Sequence, residues 1–377
     1  MPPAFQIFVK PVGANCNLRC SYCYYIGKKT LYPPGGSKFM DDVLLEKYIL
    51  QHIDASREEI VSFSWHGGEP LLAGIEFFRK AVLIQKKYKP SGSTIINGIQ
   101  TNGTLLDHEW CAFFSQEQFV VGISIDGTQK FHDTFRKTSN NDCTFNQVIN
   151  GYELLKKHGI LPEILCVVNS ENVENPLEIY KFLKHLGAKY ITFLPLVERK
   201  EDTDTGVSKI TVPSLEFGVF LSRIFDEWVE NDIGNIKIQI FEEAVRTAFN
   251  QEHTLCIFKK NCGGVPVIEH NGDFYSCDHY VNENNLLGNI NFQSLENLLN
   301  SNRQQQFGRS KSVLPQYCKN CEVKAMCNGE CPKNRFINTP DNEPGLNYLC
   351  SGYKYFFNHC RPFVEAISAA WKKQEPL

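Results

Sequence analysis

Three cysteines near the start of the chain stand as Cys16-x3-Cys20-x2-Cys23, with Tyr22 inside the second gap. Thiolates at this spacing can each bind a different iron of a 4Fe–4S cluster and leave the fourth iron open to a small chelating ligand. Zinc is the competing reading, but a structural zinc site is closed by four ligands, and the nearest downstream Cys or His is His52. Eight more cysteines follow in the second half: Cys256, Cys262, Cys277, then Cys318-x2-Cys321-x5-Cys327-x3-Cys331, and Cys350. Eight thiolates are the complement of two fully ligated 4Fe–4S clusters. Zinc ribbons also use C-x2-C pairs and stay open as the alternative. Cys111, Cys143, Cys166 and Cys360 are left over, and for Cys166 in an apolar run and Cys111 in a helical one, core packing is the expected role. Elsewhere Gly67-Gly68-Glu69 joins a backbone that a ligand can approach closely to a carboxylate able to receive an ammonium group.

These residues need a scaffold, and the first half of the chain supplies an alternation. Strand-like runs cover Phe5–Val9, Ile60–Trp65, Thr94–Gln100, Phe119–Ile125, Glu163–Val168 and Tyr190–Leu194. Helical patterns lie between them at Asp41–Ala55, Ile75–Tyr88, Asp107–Ser115, Phe145–His158 and Asn175–Leu186, the last with Ser170 and Asn172 as expected caps. Six strands in such alternation predict a parallel sheet with right-handed crossovers, open or as a partial barrel, and ligands at the carboxyl ends of the strands. The glycine-rich segment, Gln100-Thr101-Asn102-Gly103 and Ser124-Ile125-Asp126-Gly127 all sit at such ends. From about Thr211 the rhythm changes. Helices are expected over Ser214–Glu230 and Phe241–Asn250, the charged stretch Glu198–Lys209 reads as an exposed loop, and Asn271-Gly272 signals a hairpin leading to Cys277.

Composition bounds the class. A chain of 377 residues with 42% hydrophobic content can bury a large core and is expected to form two domains, residues 1–235 and 236–377. A net charge of −3 indicates no nucleic-acid or anionic-membrane surface. The start lacks a signal-peptide pattern, and no apolar run approaches the ~20 residues of a membrane span. Fifteen cysteines without a secretion signal favour metal sites over disulfides and a reducing, cytoplasmic and anaerobic setting.

The C-x3-C-x-Φ-C loop after a first strand, with GGEP about forty-five residues on, resembles the radical S-adenosylmethionine (SAM) superfamily. The resemblance implies an α/β fold, a partial (β/α)6 radical SAM barrel, followed by a cysteine-rich C-terminal SPASM domain. It implies SAM bound to the open iron and cleaved to a 5′-deoxyadenosyl radical. The SAM pocket would be lined by Tyr22, Gly67, Gly68, Glu69, Thr101, Asn102, Ser124, Asp126, Arg136 and Val197, with Arg136 on the methionine carboxylate and the Val197 backbone on adenine. The later cysteines resemble the ligands of two auxiliary clusters. By that pattern Cys256, Cys262, Cys277 and Cys331 hold the first, and Cys318, Cys321, Cys327 and Cys350 the second. Three 4Fe–4S clusters are thus implied.

Over nearly the whole chain the resemblance narrows to anaerobic sulfatase-maturating enzymes. It is carried by Phe5–Pro11, the segment from Gly67 to Phe78, Gln100–Leu105, Leu165–Val168, Cys277-Asp278 and Leu346–Cys350. Such enzymes oxidise a cysteine or serine of a sulfatase to Cα-formylglycine. The resemblance then implies Asp278 as the base, Tyr25 and His66 near the substrate, an unfolded or nascent sulfatase polypeptide as partner, and a low-potential donor such as ferredoxin or flavodoxin. His66 stands where some members have glutamine, and the aromatic identity at Tyr24 varies in the family. Two other classes share features: a SPASM maturase that crosslinks a small peptide, and a non-enzymatic iron–sulfur carrier. The former often carries ~80–90 extra residues ahead of the barrel, for which a motif beginning at residue 16 leaves no room. The latter has no use for a complete set of SAM-pocket motifs.

Overall fold

The structure is a computed structural model that describes residues 5–32, 38–56, 58–203 and 206–373. It gathers into two compact units that interleave along the chain. The first is Met1–Ser124, Asp133–Pro162 and Gly263–Gly308; the second is Ile125–His132, Glu163–Cys262 and Arg309–Leu377.

In the first unit β1 (Phe8–Lys10), β2 (Ile60–Trp65), β3 (Thr94–Thr101) and β4 (Val120–Ser124) lie side by side and parallel. Helices α1 (Asp42–Ala55), α2 (Ile75–Tyr88) and α3 (His108–Gln116) connect them. The acidic residues expected to open α1 and α3 cap them instead. Asp41 Oδ1 accepts from Leu44 N and Asp107 Oδ1 from Trp110 N, both at 2.8 Å, filling donors that a helix start leaves free. The apolar faces close over the sheet through Tyr48, Phe63, Trp65 and Phe78, all fully buried. Trp65 Nε1 donates to Asn97 Oδ1 at 2.9 Å, so its polar edge is satisfied inside the core.

Strand β1 begins three residues later than the sequence reading has it, because pairing with β2 starts at Phe8↔Ser64. On its other side β1 pairs in parallel with a later strand, β8 (Val267–Glu269), in the register Lys10↔Glu269. The Asn271-Gly272 turn does form a hairpin: β8 runs antiparallel to β9 (Asp273–Tyr275), and β9 to β10 (Leu286–Asn289). Gly272 sits at φ +88°, the left-handed region that the turn needs. The hairpin's return brings Cys277 and Asp278 to the carboxyl end of β1.

The second unit contains β5 (Glu163–Val168), β6 (Tyr190–Pro195) and the two-residue β7 (Lys237–Ile238), all parallel. Helix α4 (Gln129–Phe135) and, in the first unit, α5 (Phe145–Lys157) precede it, and α6 (Pro176–His185) links β5 to β6. Ser170 and Asn172 do not cap α6. Asn172 instead closes the turn after β5, accepting from Asn169 N at 2.8 Å and donating to Val167 O at 2.9 Å. Helix α7 (Ser214–Asn231) matches its expected span, whereas α8 is Gln239–Arg246 and ends in a 3-10 turn before left-handed Asn250. A final helix over Cys350–Lys372 is absent from the sequence reading, though Tyr353, Phe356, Phe357, Cys360 and Val364 recur at helical spacing and are buried. It packs on α7 where Gly352 lies against Ser214 O; a Cβ at Gly352 would come within 2.0 Å of that oxygen.

Candidate functional site

The cysteine loop is shaped by the glycine-rich segment after β2. Gly68 N donates to Gly13 O and Glu69 N to Asn15 O, both at 2.9 Å, so the segment forms a backbone ladder against the residues leading into Cys16. A Cβ on Gly68 would lie 2.1 Å from Asn15 O, which excludes any other residue without moving the loop. The far side of the loop is pinned by Arg19 N to Lys137 O at 2.7 Å and Ser21 N to Phe135 O at 3.2 Å. Tyr22 packs on Phe135, and the Arg136 guanidinium lies 5.5 Å from the Tyr22 ring centroid.

Around Cys16 the donors suit a thiolate. Leu18 N lies 3.3 Å and Asn102 Nδ2 3.7 Å from its sulfur. Burial pushes the Cys16 thiol up to about 12 against the Leu18 N–H, and Glu69, Cys20 and Cys23 add to the rise. The Cys16 sulfur therefore feels the other two, and a metal cation bound there would supply the charge that stabilises thiolates. This donor set fits an iron–sulfur cluster. Glu69 is fully buried. Its Oε1 accepts from Thr101 Oγ1 at 2.8 Å and Leu71 N at 3.1 Å, and its Oε2 from Asn102 N at 2.7 Å. Burial raises its pKa to about 7, opposed by those three hydrogen bonds. Ser124, buried at the end of β4, accepts from Gln100 Nε2 at 3.2 Å. In the second unit, fully buried Asp126 accepts from Val167 N at 2.9 Å, and Val197 follows the end of β6 half-buried.

A second cluster of polar groups stands at the return of the hairpin, and its centre is Asp278. Lys10, 1% exposed, lies 2.6 Å from Asp278 Oδ1, and its ammonium is 4.3 Å from the Tyr25 ring centroid. Burial alone would raise the Asp278 carboxyl; Lys10, with His279 and His66, outweighs it and holds the group well below the usual carboxylate range. Tyr24 donates to Asp278 Oδ2. Its ring is half exposed and packs near His279, while burial of its hydroxyl, then Asp278, then Cys23 and Cys277, raise its pKa. His66 stacks on Phe8 at 4.0 Å, and burial first, then Lys10, lower its pKa to about 3, so it stands neutral. Tyr25, the expected substrate contact, is instead 3% exposed. It packs with Ala14, Val267, Tyr275 and Val281 and donates to Glu269. Lys10 is absent from the sequence expectations, and Tyr24 enters them only as a position of variable aromatic identity. The signal for Lys10 was a lone charge ending an apolar strand.

Comparison with known proteins gives this arrangement its family. Residues 11–183 match the Radical SAM superfamily and residues 256–322 the SPASM iron–sulfur cluster-binding domain. A serine-type anaerobic sulfatase-maturating enzyme of Bacteroides thetaiotaomicron is 44% identical, across 98% of this chain and 92% of the relative. The chain belongs to the anaerobic sulfatase-maturating enzymes. It is thus a radical SAM oxidoreductase with the α/β radical SAM fold and a SPASM domain. A cysteine-type member from Clostridium perfringens is 33% identical over 96% of this chain and 97% of the relative. The solved structure of native anSMEcpe with bound AdoMet and Cp18Cys peptide superposes with a TM-score of 0.88 at 31% identity, covering 98% of this chain and all of that one.

In this sulfatase-maturating family member, the second unit holds seven of the eight later cysteines. Cys262 bears on the ionisation of Cys256 and Cys331, Cys321 on that of Cys318, Cys318 and Cys350 on that of Cys327, and Cys318 and Cys321 on that of Cys350. Burial comes first in every case, raising Cys256 and Cys350 to about 11 and Cys327 and Cys331 to about 12. Two sets of soft donors, half-buried apart from buried Cys331, suit iron–sulfur ligation. Among the described residues no three Cys, His, Asp or Glu side chains converge as they would on a single metal ion. No helix among them is long and apolar enough to cross a membrane.

Proposed function

We propose that this enzyme oxidises one serine or cysteine of an unfolded or nascent sulfatase polypeptide to Cα-formylglycine, with Asp278 as the base. The observation that carries the proposal is the Asp278 carboxylate, buried, ion-paired with Lys10 and adjacent to half-exposed Tyr24. The reaction removes two electrons and two protons from Cβ and its heteroatom, the second electron passing to an auxiliary cluster; serine then stands as the aldehyde, while cysteine gives a thioaldehyde that water hydrolyses with release of hydrogen sulfide. Bound SAM and the cluster at Cys16, Cys20 and Cys23 supply the chemistry that takes the Cβ hydrogen. What remains needs a proton acceptor at the hydroxyl or thiol, and an ionised carboxylate within hydrogen-bond reach meets that need. Lys10 keeps Asp278 ionised until the substrate arrives, and Tyr24, rather than buried Tyr25, faces the peptide. His66, neutral and stacked on Phe8, flanks the same site.

Tyr22, Gly67, Gly68, Glu69, Thr101, Asn102, Ser124 and Arg136 are the first-unit residues that would hold SAM. The two cysteine sets of the second unit would hold auxiliary clusters, giving three 4Fe–4S clusters in all with a low-potential ferredoxin or flavodoxin as donor. The setting is the cytoplasm. The higher identity to the serine-type relative makes serine the first substrate to test. Peptides carrying Ser-x-Ala-x-Arg or Cys-x-Pro-x-Arg, incubated anaerobically with the reconstituted enzyme, SAM and dithionite, should yield the formylglycine mass. SAM cleavage without a mass change on either peptide overturns the proposal.

A further inference from the structure

Lys311 is fully buried, and its ammonium donates to two backbone carbonyls, Cys256 O at 2.6 Å and Ile257 O at 2.7 Å. Neutral carbonyls do not offset the several kcal/mol that burying an ion costs. An ammonium in this position calls for an anion nearby. The groups facing it are Cys262, Cys256, Cys331 and Glu330. Glu330 is buried and its carboxyl accepts from Asn334 Nδ2 at 3.1 Å and from Asn347 Nδ2, so its charge is shared with these two amides. Metal-bound thiolates at Cys256, Cys262 and Cys331 would add further negative charge beside this ammonium.

Arg335 fixes the same place from the other side. Its Nη1 donates to Lys311 O at 2.7 Å, its Nε to Gly329 O at 2.8 Å, and its Nη2 to Asn328 O at 3.2 Å and Glu330 O at 3.0 Å. Asn328, Gly329 and Glu330 have φ of +47°, +73° and +50°. Three successive left-handed residues, two of them with side chains, persist only where the surroundings over-determine them, and one guanidinium holding all three carbonyls does so. This turn joins Cys327, which neighbours Cys318 and Cys350, to Cys331, which neighbours Cys262. Arg335 itself faces Cys262, Cys318 and Cys327. Arg335 therefore stands where the two cysteine sets approach each other, and Lys311 stands against the first set.

We propose that Lys311 is a potential-setting residue for the iron–sulfur cluster held by Cys256, Cys262 and Cys331, with Arg335 clamping the turn that keeps it in place. The proposal rests on the reading that these cysteines bind a cluster. Each added electron makes a cluster more negative, and a fixed cation in a water-poor site favours that reduced form, so the potential rises. Electrons leaving the substrate then have a better acceptor in this unit.

The test uses the full chain with Cys16, Cys20 and Cys23 all replaced by alanine, so that only later clusters contribute. Lys311→Gln and Lys311→Arg are made in that background, reconstituted anaerobically, and compared by iron content and by redox titration followed by electron paramagnetic resonance. With iron retained, Lys311→Gln should lower one midpoint potential, so that the reduced-to-oxidised ratio at fixed poise falls on the order of tenfold, about 59 mV for one electron. Lys311→Arg should restore most of that shift. Unchanged midpoints in a fully loaded Lys311→Gln protein overturn the proposal. If Lys311→Gln loses iron, Lys311→Arg decides: normal iron and midpoint carry the charge argument, and equal iron loss overturns it. A background protein with no iron at all removes the cluster reading itself, and that result is separable because it precedes any change at Lys311.

Discussion

Two residues far apart in the chain form the ion pair on which the proposed base depends. Lys10 ends a three-residue strand and Asp278 follows the hairpin that pairs with it, and each is buried because the other is present. Asp278→Asn removes the charge and keeps the shape, so iron content and SAM cleavage should stay at wild-type levels. Formylglycine should fall by ~10²–10⁴-fold, the range of a lost general base. Deuterium from the substrate Cβ should still reach 5′-deoxyadenosine, placing the defect after the first abstraction; near-normal formylglycine from the variant would show that Asp278 is a buried structural ion. Lys10→Met leaves the carboxylate buried without its partner, which costs about 3–5 kcal/mol in comparable pairs. Thermal melts should show this loss, and Lys10→Met/Asp278→Asn should recover part of it, since paired residues are not additive. Additive losses would mean that the 2.6 Å contact does not couple the two.

Elements decide how near these residues come to the cysteine loop, and here the sequence is legible in part. The spacing of Ile60–Trp65, Glu163–Val168 and Ile75–Tyr88 matches the strands and helix observed, because long apolar runs and clean helical periodicity report burial directly. The glycine pair at 67–68 was legible as a close approach, yet what approaches it was not: the partner is the backbone of Gly13 and Asn15, and backbone ladders leave no side-chain signature. For the same reason the pairing of β8 with β1, which brings Asp278 to Lys10, is invisible in a three-residue strand. Tyr24 and Tyr25 show the limit most plainly. Adjacent tyrosines have identical composition, and only the loop's course sends one to Asp278 and the other to Glu269. Gly68→Ala tests the element's role. A Cβ 2.1 Å from Asn15 O must displace the loop, so reconstituted protein should lose about four irons and its SAM cleavage, while far-ultraviolet circular dichroism stays native. Full iron in this variant would show that the loop tolerates the shift.

At the scale of the molecule, cysteines divide the work. Cys16, Cys20 and Cys23 lie in the first unit, where most of the SAM-type motif residues and Asp278 also stand, and seven of the eight later cysteines lie in the second. Each set is desolvated by its own surroundings and influenced by its own neighbours. Loading at one should therefore survive loss of the other. The wild-type protein, reconstituted anaerobically, should hold about twelve irons, three clusters of four. With Cys16, Cys20 and Cys23 replaced together, about eight should remain, and their paramagnetic signals should keep wild-type midpoints. SAM cleavage should disappear, because the open iron it needs is gone. Replacing Cys318 and Cys321 should do the converse, removing about four irons while SAM cleavage in the absence of peptide continues. If the first triple replacement stripped all iron, the cysteine sets would form one cooperative assembly, and the division of labour between them would fail. Zinc in place of the remaining eight irons would leave the radical chemistry intact but remove any electron path through the second unit.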